Sequence, residues 1–160
     1  MLHNMHIVIT GAAGTLGQAV AAAARDFGAH VIGLDIVDAN TLPNTDQYDK
    51  VDLLDRDATA GFFARLERVD ALFNIAGGFA MGDDAYDPDS QQFEQMFRIN
   101  VDTMRNATMA AVPLLRQQAR AAIVNIGALG AQRGEGTMSG YCCAKGTVMK
   151  LTESLSDELR

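Results

Sequence analysis

Met5-His-Ile-Val-Ile-Thr-Gly-Ala-Ala-Gly-Thr-Leu-Gly17 is the stretch whose reading decides the fold. A β-branched run, Ile7 to Ile9, stops at Thr10 and opens into glycines at positions 11, 14 and 17. An alanine-rich helical pattern follows through Arg25. Strand, glycine turn and helix, in that order, are the context in which spaced glycines mean dinucleotide binding. The glycines make the turn tight and let a pyrophosphate approach the backbone. The helix start then offers unpaired N–H groups and a partial positive charge. Gly11 opens this candidate cradle, and Ala13, Gly14, Thr15, Leu16 and Gly17 complete it.

An acid follows at the expected distance. Asp35 ends a second apolar strand, His30 to Asp35, and lies 18 residues past Gly17. An acid at that place accepts hydrogen bonds from the adenosine ribose hydroxyls and repels a 2′-phosphate. Ile36, Val37 and Asp38 come next, with no adjacent arginine or lysine to offset the charge, so the pattern favours NAD over NADP.

The remaining chain reads as alternating strands and helices. The first strand is His6 to Thr10 and the first helix Thr15 to Phe27, with Gly28 placed for a left-handed cap. A third strand is expected at Tyr48 to Leu53, then a helix capped by Asp55 and running to Glu67. Asp70 to Ile75 is a fourth strand, apolar enough to be buried on both faces. Phe79 to Ser90 reads as loop. Helical pattern fills Gln91 to Gln118, expected in two pieces broken near Asn100, with Pro113 making the last turn irregular. Ala121 to Ile126 is a fifth strand. A glycine-rich loop, Gly127 to Gly140, leads into a last helix from about Tyr141, where Ala144, Val148, Leu151, Leu155 and Leu159 form one stripe. Alternation of this kind means parallel strands with right-handed crossovers. The narrow apolar stripes of the last two helices fit a homodimer or higher homo-oligomer, or simply coverage of the sheet.

Bulk properties exclude several classes. The chain has 160 residues, 48% hydrophobic and 21% charged, which fits one globular domain over residues 1–160. A net charge of −7 argues against a nucleic-acid surface. No apolar run suits a membrane span, and the first residues do not read as a signal peptide, so a cytoplasmic protein is expected. Cys142 and Cys143 are adjacent and make neither a useful disulfide nor a metal pattern, so no metal is expected.

Tyr141 and Lys145 stand one helical turn apart, on one face. A cation beside a phenol stabilises phenolate, which makes Tyr141 a candidate general acid/base. With Thr10-Gly11, Asp35, Asn74-Ile-Ala-Gly77, Asn100 and Asn125-Ile-Gly127, the order of motifs resembles the short-chain dehydrogenase/reductase family in its compact single-domain branch. The resemblance covers essentially the whole chain. It implies an α/β fold, a three-layer doubly wound parallel sheet of Rossmann type with strand order 3-2-1-4-5. It further implies an NAD-dependent oxidoreductase moving a hydride between nicotinamide and a small carbonyl or alcohol substrate. By the same resemblance Lys145 also holds the nicotinamide ribose and Asn100 orients a proton-relaying water. Asp52 and Leu53 hold adenine, and Asn74, Ala76 and Gly77 line the cofactor groove.

Three departures accompany the likeness. The family's catalytic serine should fall at position 128, which is Ala128, with Ser139 and Thr137 as nearby hydroxyls. Thr15 stands where the compact branch usually has glycine, a spacing closer to the sugar-epimerising branch. The sequence also ends at Arg160, where family members continue with further strands, so a truncated member is expected. A non-catalytic dinucleotide-binding or sensing module and a sugar-nucleotide epimerase are the alternatives these departures leave.

Overall fold

A computed structural model describes residues 2–160. Its strands are β1 (His6–Thr10), β2 (His30–Asp35), β3 (Gln47–Lys50), β4 (Ala71–Asn74) and β5 (Ala122–Asn125). They form one sheet in the order β3-β2-β1-β4-β5, with β1 parallel to β2 and β4, and β2 parallel to β3. The helices are α1 (Thr15–Asp26), α2 (Arg56–Phe63), α3 (Gln92–Phe97), α4 (Thr103–Leu115) and α5 (Ser139–Glu158), and a π-helical turn (Arg98–Asp102) joins α3 to α4. The expected α/β class and strand order are observed.

The chain divides into two compact units, one up to Ala76 plus Arg105–Val124, the other Gly77–Met104 plus Asn125–Arg160. In the first unit, strand alternation sorts side chains onto two faces. Ile7, Ile9, Val31 and Ala71 pack with Ala21 and Ala24 of α1. Val8, Ile32, Leu34 and Leu72 pack on the opposite face with Phe62 and Phe63 of α2 and Ala107, Ala111 and Leu115 of α4. That is the three-layer arrangement. In the second unit Met96, Val101 and Met104 enclose Ala144 and Val148 of α5. Ala144 and Val148 of the α5 stripe are therefore engaged within their own chain, in a cluster with residues of α3, the π turn and the start of α4.

Several boundaries differ from expectation for local reasons. β3 stops at Lys50 because the Asp52 carboxylate accepts the Leu54 N–H and its carbonyl accepts the Asp55 N–H, turning the chain. Asp55 caps α2 as expected, accepting from the N–H groups of Asp57 and Ala58. The helix ends early at Phe63, however, in a run of tighter i→i+3 bonds from Arg65 and Leu66. Gln92–Leu115 is not broken at Asn100. It stays helical and widens there, so that the Thr103 N–H reaches back five residues to Arg98. Pro113 sits inside α4, and i→i+3 bonds from Gln117 and Gln118 follow, the irregular finish expected of it.

The feet of three strands meet at one acid that the sequence reading treated only as a strand start. Asp70 is 3% exposed. It exchanges backbone bonds with β1 and β5: its N–H donates to the His6 carbonyl at 2.8 Å, and its carbonyl accepts the Ala122 N–H at 3.1 Å. Its carboxylate accepts the His6 N–H at 2.7 Å and a two-pronged contact from Arg68 at 2.8 and 2.9 Å. Burial pushes this carboxyl up, but the Arg68 and His6 hydrogen bonds and the Arg68 charge outweigh it and hold it below the usual aspartate range. Stabilisation from such a group is complete above that range and is lost as pH falls through the lowered value. Asp70→Asn is expected to cost about 1–3 kcal/mol in urea unfolding at pH 7, with the gap closing as pH falls through the lowered value.

Candidate functional site

In the first unit the residues of the glycine turn gather at the carboxyl end of β1. Thr10 is 1% exposed, and its hydroxyl accepts the N–H groups of Ile75 and Ala76, both at 3.1 Å. This draws the chain leaving β4 against the chain leaving β1. Gly11 has φ +68°, and a Cβ there would lie 2.7 Å from the Ala76 nitrogen. At Gly17 a Cβ would run into the Gly11 carbonyl, so α1 could not start where it does. Gly14 is the N-cap of α1, and no side chain caps that helix start. The first-turn N–H groups after Gly14 are thus left to solvent or to an anion. Ala13 is half-buried in the turn, while Thr15 and Leu16 are exposed on the first turn.

Asp35 is tied to this turn. Its carboxylate accepts the Ala13 N–H at 2.9 Å and the Ile36 N–H at 2.7 Å. An ionised carboxylate offers about four acceptor positions, so these bonds leave room for others. Asp52 is exposed at the end of β3, and Leu53 beside it is buried, with its carbonyl accepting from the Asn106 amide at 2.8 Å. Asn74 closes β4, buried, its amide donating to the Thr108 hydroxyl at 3.2 Å. Gly11, Ala13, Gly14, Gly17, Asp35, Asn74 and Ala76 therefore belong to one set of strand ends in one unit.

The second unit carries the other expected residues. Asn100 is 2% exposed inside the π turn. Its Oδ1 accepts the Gly78 N–H at 3.2 Å, and its Nδ2 donates to the Gly78 and Met96 carbonyls, each at 3.0 Å. Side chains bond carbonyls along the widened turn: the Asn100 amide takes that of Met96, and the Thr103 hydroxyl takes that of Ile99 at 2.8 Å. Gly77 lies alongside, where a Cβ would stand 2.6 Å from Asn100 Oδ1.

Tyr141 and Lys145 occupy the first turns of α5. Lys145 is 7% exposed, and its ammonium donates to the Ile126 carbonyl at 2.9 Å. Burial holds it below the ordinary lysine range. The Tyr141 ring meets Phe79 edge to face, with centroids 4.9 Å apart and planes at 90°. Ala128 is extended and opens a 3₁₀ turn, Leu129–Gln132. Thr137 has φ +60°, and Ser139 lines a cavity of about 350 Å³ with Asp83, Asp84, Asp87, Ser90 and Glu94. Phe79 and Gly78 escaped the sequence reading. The signal was a glycine doublet at a strand end followed by an aromatic.

Residues 5–160 match the family model described as short chain dehydrogenase. The chain belongs to the short-chain dehydrogenase family. It is 28% identical to D-xylose 1-dehydrogenase of Caulobacter vibrioides, over 99% of this chain and 67% of that one. It is 25% identical to the short chain dehydrogenase adrF of Penicillium roqueforti, over 98% of this chain and 64% of that one. Among solved structures, aldohexose dehydrogenase of Thermoplasma acidophilum superposes with a TM-score of 0.89 at 23% identity, over 98% of this chain and 62% of that one. This short-chain dehydrogenase chain thus spans about two thirds of the length of those relatives. Among the described residues no group of His, Cys, Asp and Glu is arranged to hold a metal ion, and no helix is long and apolar enough to cross a membrane.

Lys145 makes a measurable claim about this family member. The folded chain holds the lysine proton less tightly than the unfolded chain, so burial destabilises at neutral pH. That penalty is relieved as pH rises towards the unperturbed value of about 10.4. Lys145→Met is expected to raise the thermal midpoint at pH 7, and calorimetric scans should show the gain shrinking as pH approaches that value.

Proposed function

We propose that this chain carries the coenzyme-binding and proton-transfer groups of an NAD-dependent oxidoreductase acting on a small carbonyl or alcohol. The observation that carries the coenzyme choice is the Asp35 carboxylate fixed on the Ala13 N–H, at the lip of the glycine turn. A fixed negative charge there suits two ribose hydroxyls and opposes a 2′-phosphate. The cradle fits a dinucleotide: Gly11 and Gly17 have no room for a side chain, and α1 begins without a side-chain cap. Gly14, Thr15, Leu16 and Gly17 would hold the pyrophosphate, Asp35 the adenosine ribose, and Asp52 and Leu53 the adenine. Asn74, Ala76 and Gly77 would line the path towards the nicotinamide. When bound, NAD(H) would supply or accept the hydride.

In this reading Tyr141 donates the proton to the substrate oxygen in reduction and removes it in oxidation. Lys145 stands one helical turn further along α5, where its ammonium donates to the Ile126 carbonyl. Asn100 maintains the Gly77–Gly78 backbone and, through it, the floor of the site. Ala128 offers a methyl group where a hydroxyl would polarise the carbonyl, a loss typically worth about 2.7–4 kcal/mol. That single position favours a second reading, a dinucleotide-binding sensor without turnover.

Calorimetric titration is expected to show NADH binding more tightly than NADPH, and Asp35→Ala should narrow the difference. Tighter NADPH binding would remove Asp35 from its role. Tyr141→Phe is expected to cut NADH-dependent reduction of a panel of small aldehydes and ketones by about 10²-fold or more, with NADH affinity unchanged. Ala128→Ser should raise the rate. A sensor would show no turnover in any of these variants.

A further inference from the structure

We propose that Phe79 is a positioning residue for Tyr141, held in place by the amide of Asn100. This rests on the reading of Tyr141 as the proton-transferring group. Phe79 is 55% exposed, so core burial does not account for an aromatic side chain there. Its ring instead stands edge to face on Tyr141, at 4.9 Å and 90°. That arrangement sets the positive edge of one ring against the negative face of the other and so favours one tilt.

The Phe79 backbone is pinned on both sides. On one, Asn100 grips Gly78 twice, accepting its N–H and donating to its carbonyl. Asn100 itself is anchored to the Met96 carbonyl in the π turn. Gly78 lies against the Ile99 side chain, where a Cβ would stand 2.7 Å from Ile99 Cδ1. On the other side the Gly82 N–H donates to the Thr137 carbonyl at 2.9 Å, just ahead of α5. Between these ties Ala80 packs on the Met96–Ala144 cluster. The phenol grows from the first turn of α5, where the helix fixes its Cα but not its side-chain torsions. One side of the ring packs on the Met96–Ala144 cluster, and Phe79 adds the edge-to-face contact that sets its tilt. Proton transfer requires the phenol oxygen within hydrogen-bond reach of the substrate oxygen, so a mobile ring lowers the reactive fraction.

The chain has three tyrosines, which makes the ring observable. Protein labelled with 3-fluorotyrosine would be examined by fluorine NMR, with the Tyr141 line assigned by its loss in Tyr141→Phe. In Phe79→Leu the Tyr141 line is expected to narrow towards that of a mobile side chain while the Tyr48 and Tyr86 lines keep their widths. Phe79→Tyr, its added line identified by difference, should restore the parent width. Asn100→Ala, which frees Gly78 without touching either ring, should reproduce the narrowing; thermal melts confirm that each variant folds. With a carbonyl that the parent reduces, Phe79→Leu should lower kcat about tenfold at unchanged KM for NADH. An unchanged Tyr141 line in Phe79→Leu, or parent kcat in a variant whose line has narrowed, overturns the proposal. Absence of turnover in the parent would overturn the proposed function instead, and the line widths still report whether Phe79 holds the ring.

Discussion

The first unit depends on how closely two pieces of backbone approach at Gly11. Nothing larger than hydrogen fits between that residue and the chain at Ala76, and the Thr10 hydroxyl draws the two together by accepting two N–H groups from the far side. In the first turn of α1, Gly17 has no room for a side chain against the Gly11 carbonyl. The helix start at Gly14 carries no side-chain cap. Fold and cradle are one geometric fact here. The residues that let the helix pack are the residues that leave its N–H groups available.

The second unit is organised around a different economy. At the π turn the Asn100 and Thr103 side chains bond the carbonyls of Met96 and Ile99. Asn100 is buried, so each polar position on its amide needs a partner. It finds them in Met96 behind and Gly78 in front. A widened helical turn therefore becomes a clamp on a loop, and the same side chain that satisfies the irregular helix fixes the approach to Tyr141.

What the sequence made legible follows from the range of the forces involved. The glycine turn, Asp35 and the Asp55 cap were readable because steric exclusion and capping act between residues close along the chain. β3 was misplaced because Gln47-Tyr-Asp-Lys50 is an edge strand with little apolar alternation. The turn after it is set by Asp52. The π turn at Asn100 was read as a break because apolar periodicity marks a disturbance there without saying whether the helix parts or widens. Asp70 and Phe79 were missed for a common reason. The element that each one ties down lies far away in sequence: Arg68 is only two residues from Asp70, but His6 is 64 residues from it, and Tyr141 meets Phe79 only after α3, α4 and β5 have intervened. The roles of Lys145 and Asn100 were set out from family likeness. Their hydrogen bonds to Ile126, Gly78 and Met96 needed coordinates.

Asp35 has one consequence of its own. The carboxylate that would face the coenzyme also latches the turn that forms the cradle, through the Ala13 N–H. Under the proposed function, discrimination and scaffold would be joined in a single side chain. Drift towards the phosphorylated coenzyme would have to replace that latch at the same time as it removed the charge. The path between the two preferences is accordingly a paired change, and a neutral residue at 35 alone would leave a loosened turn with allegiance to neither.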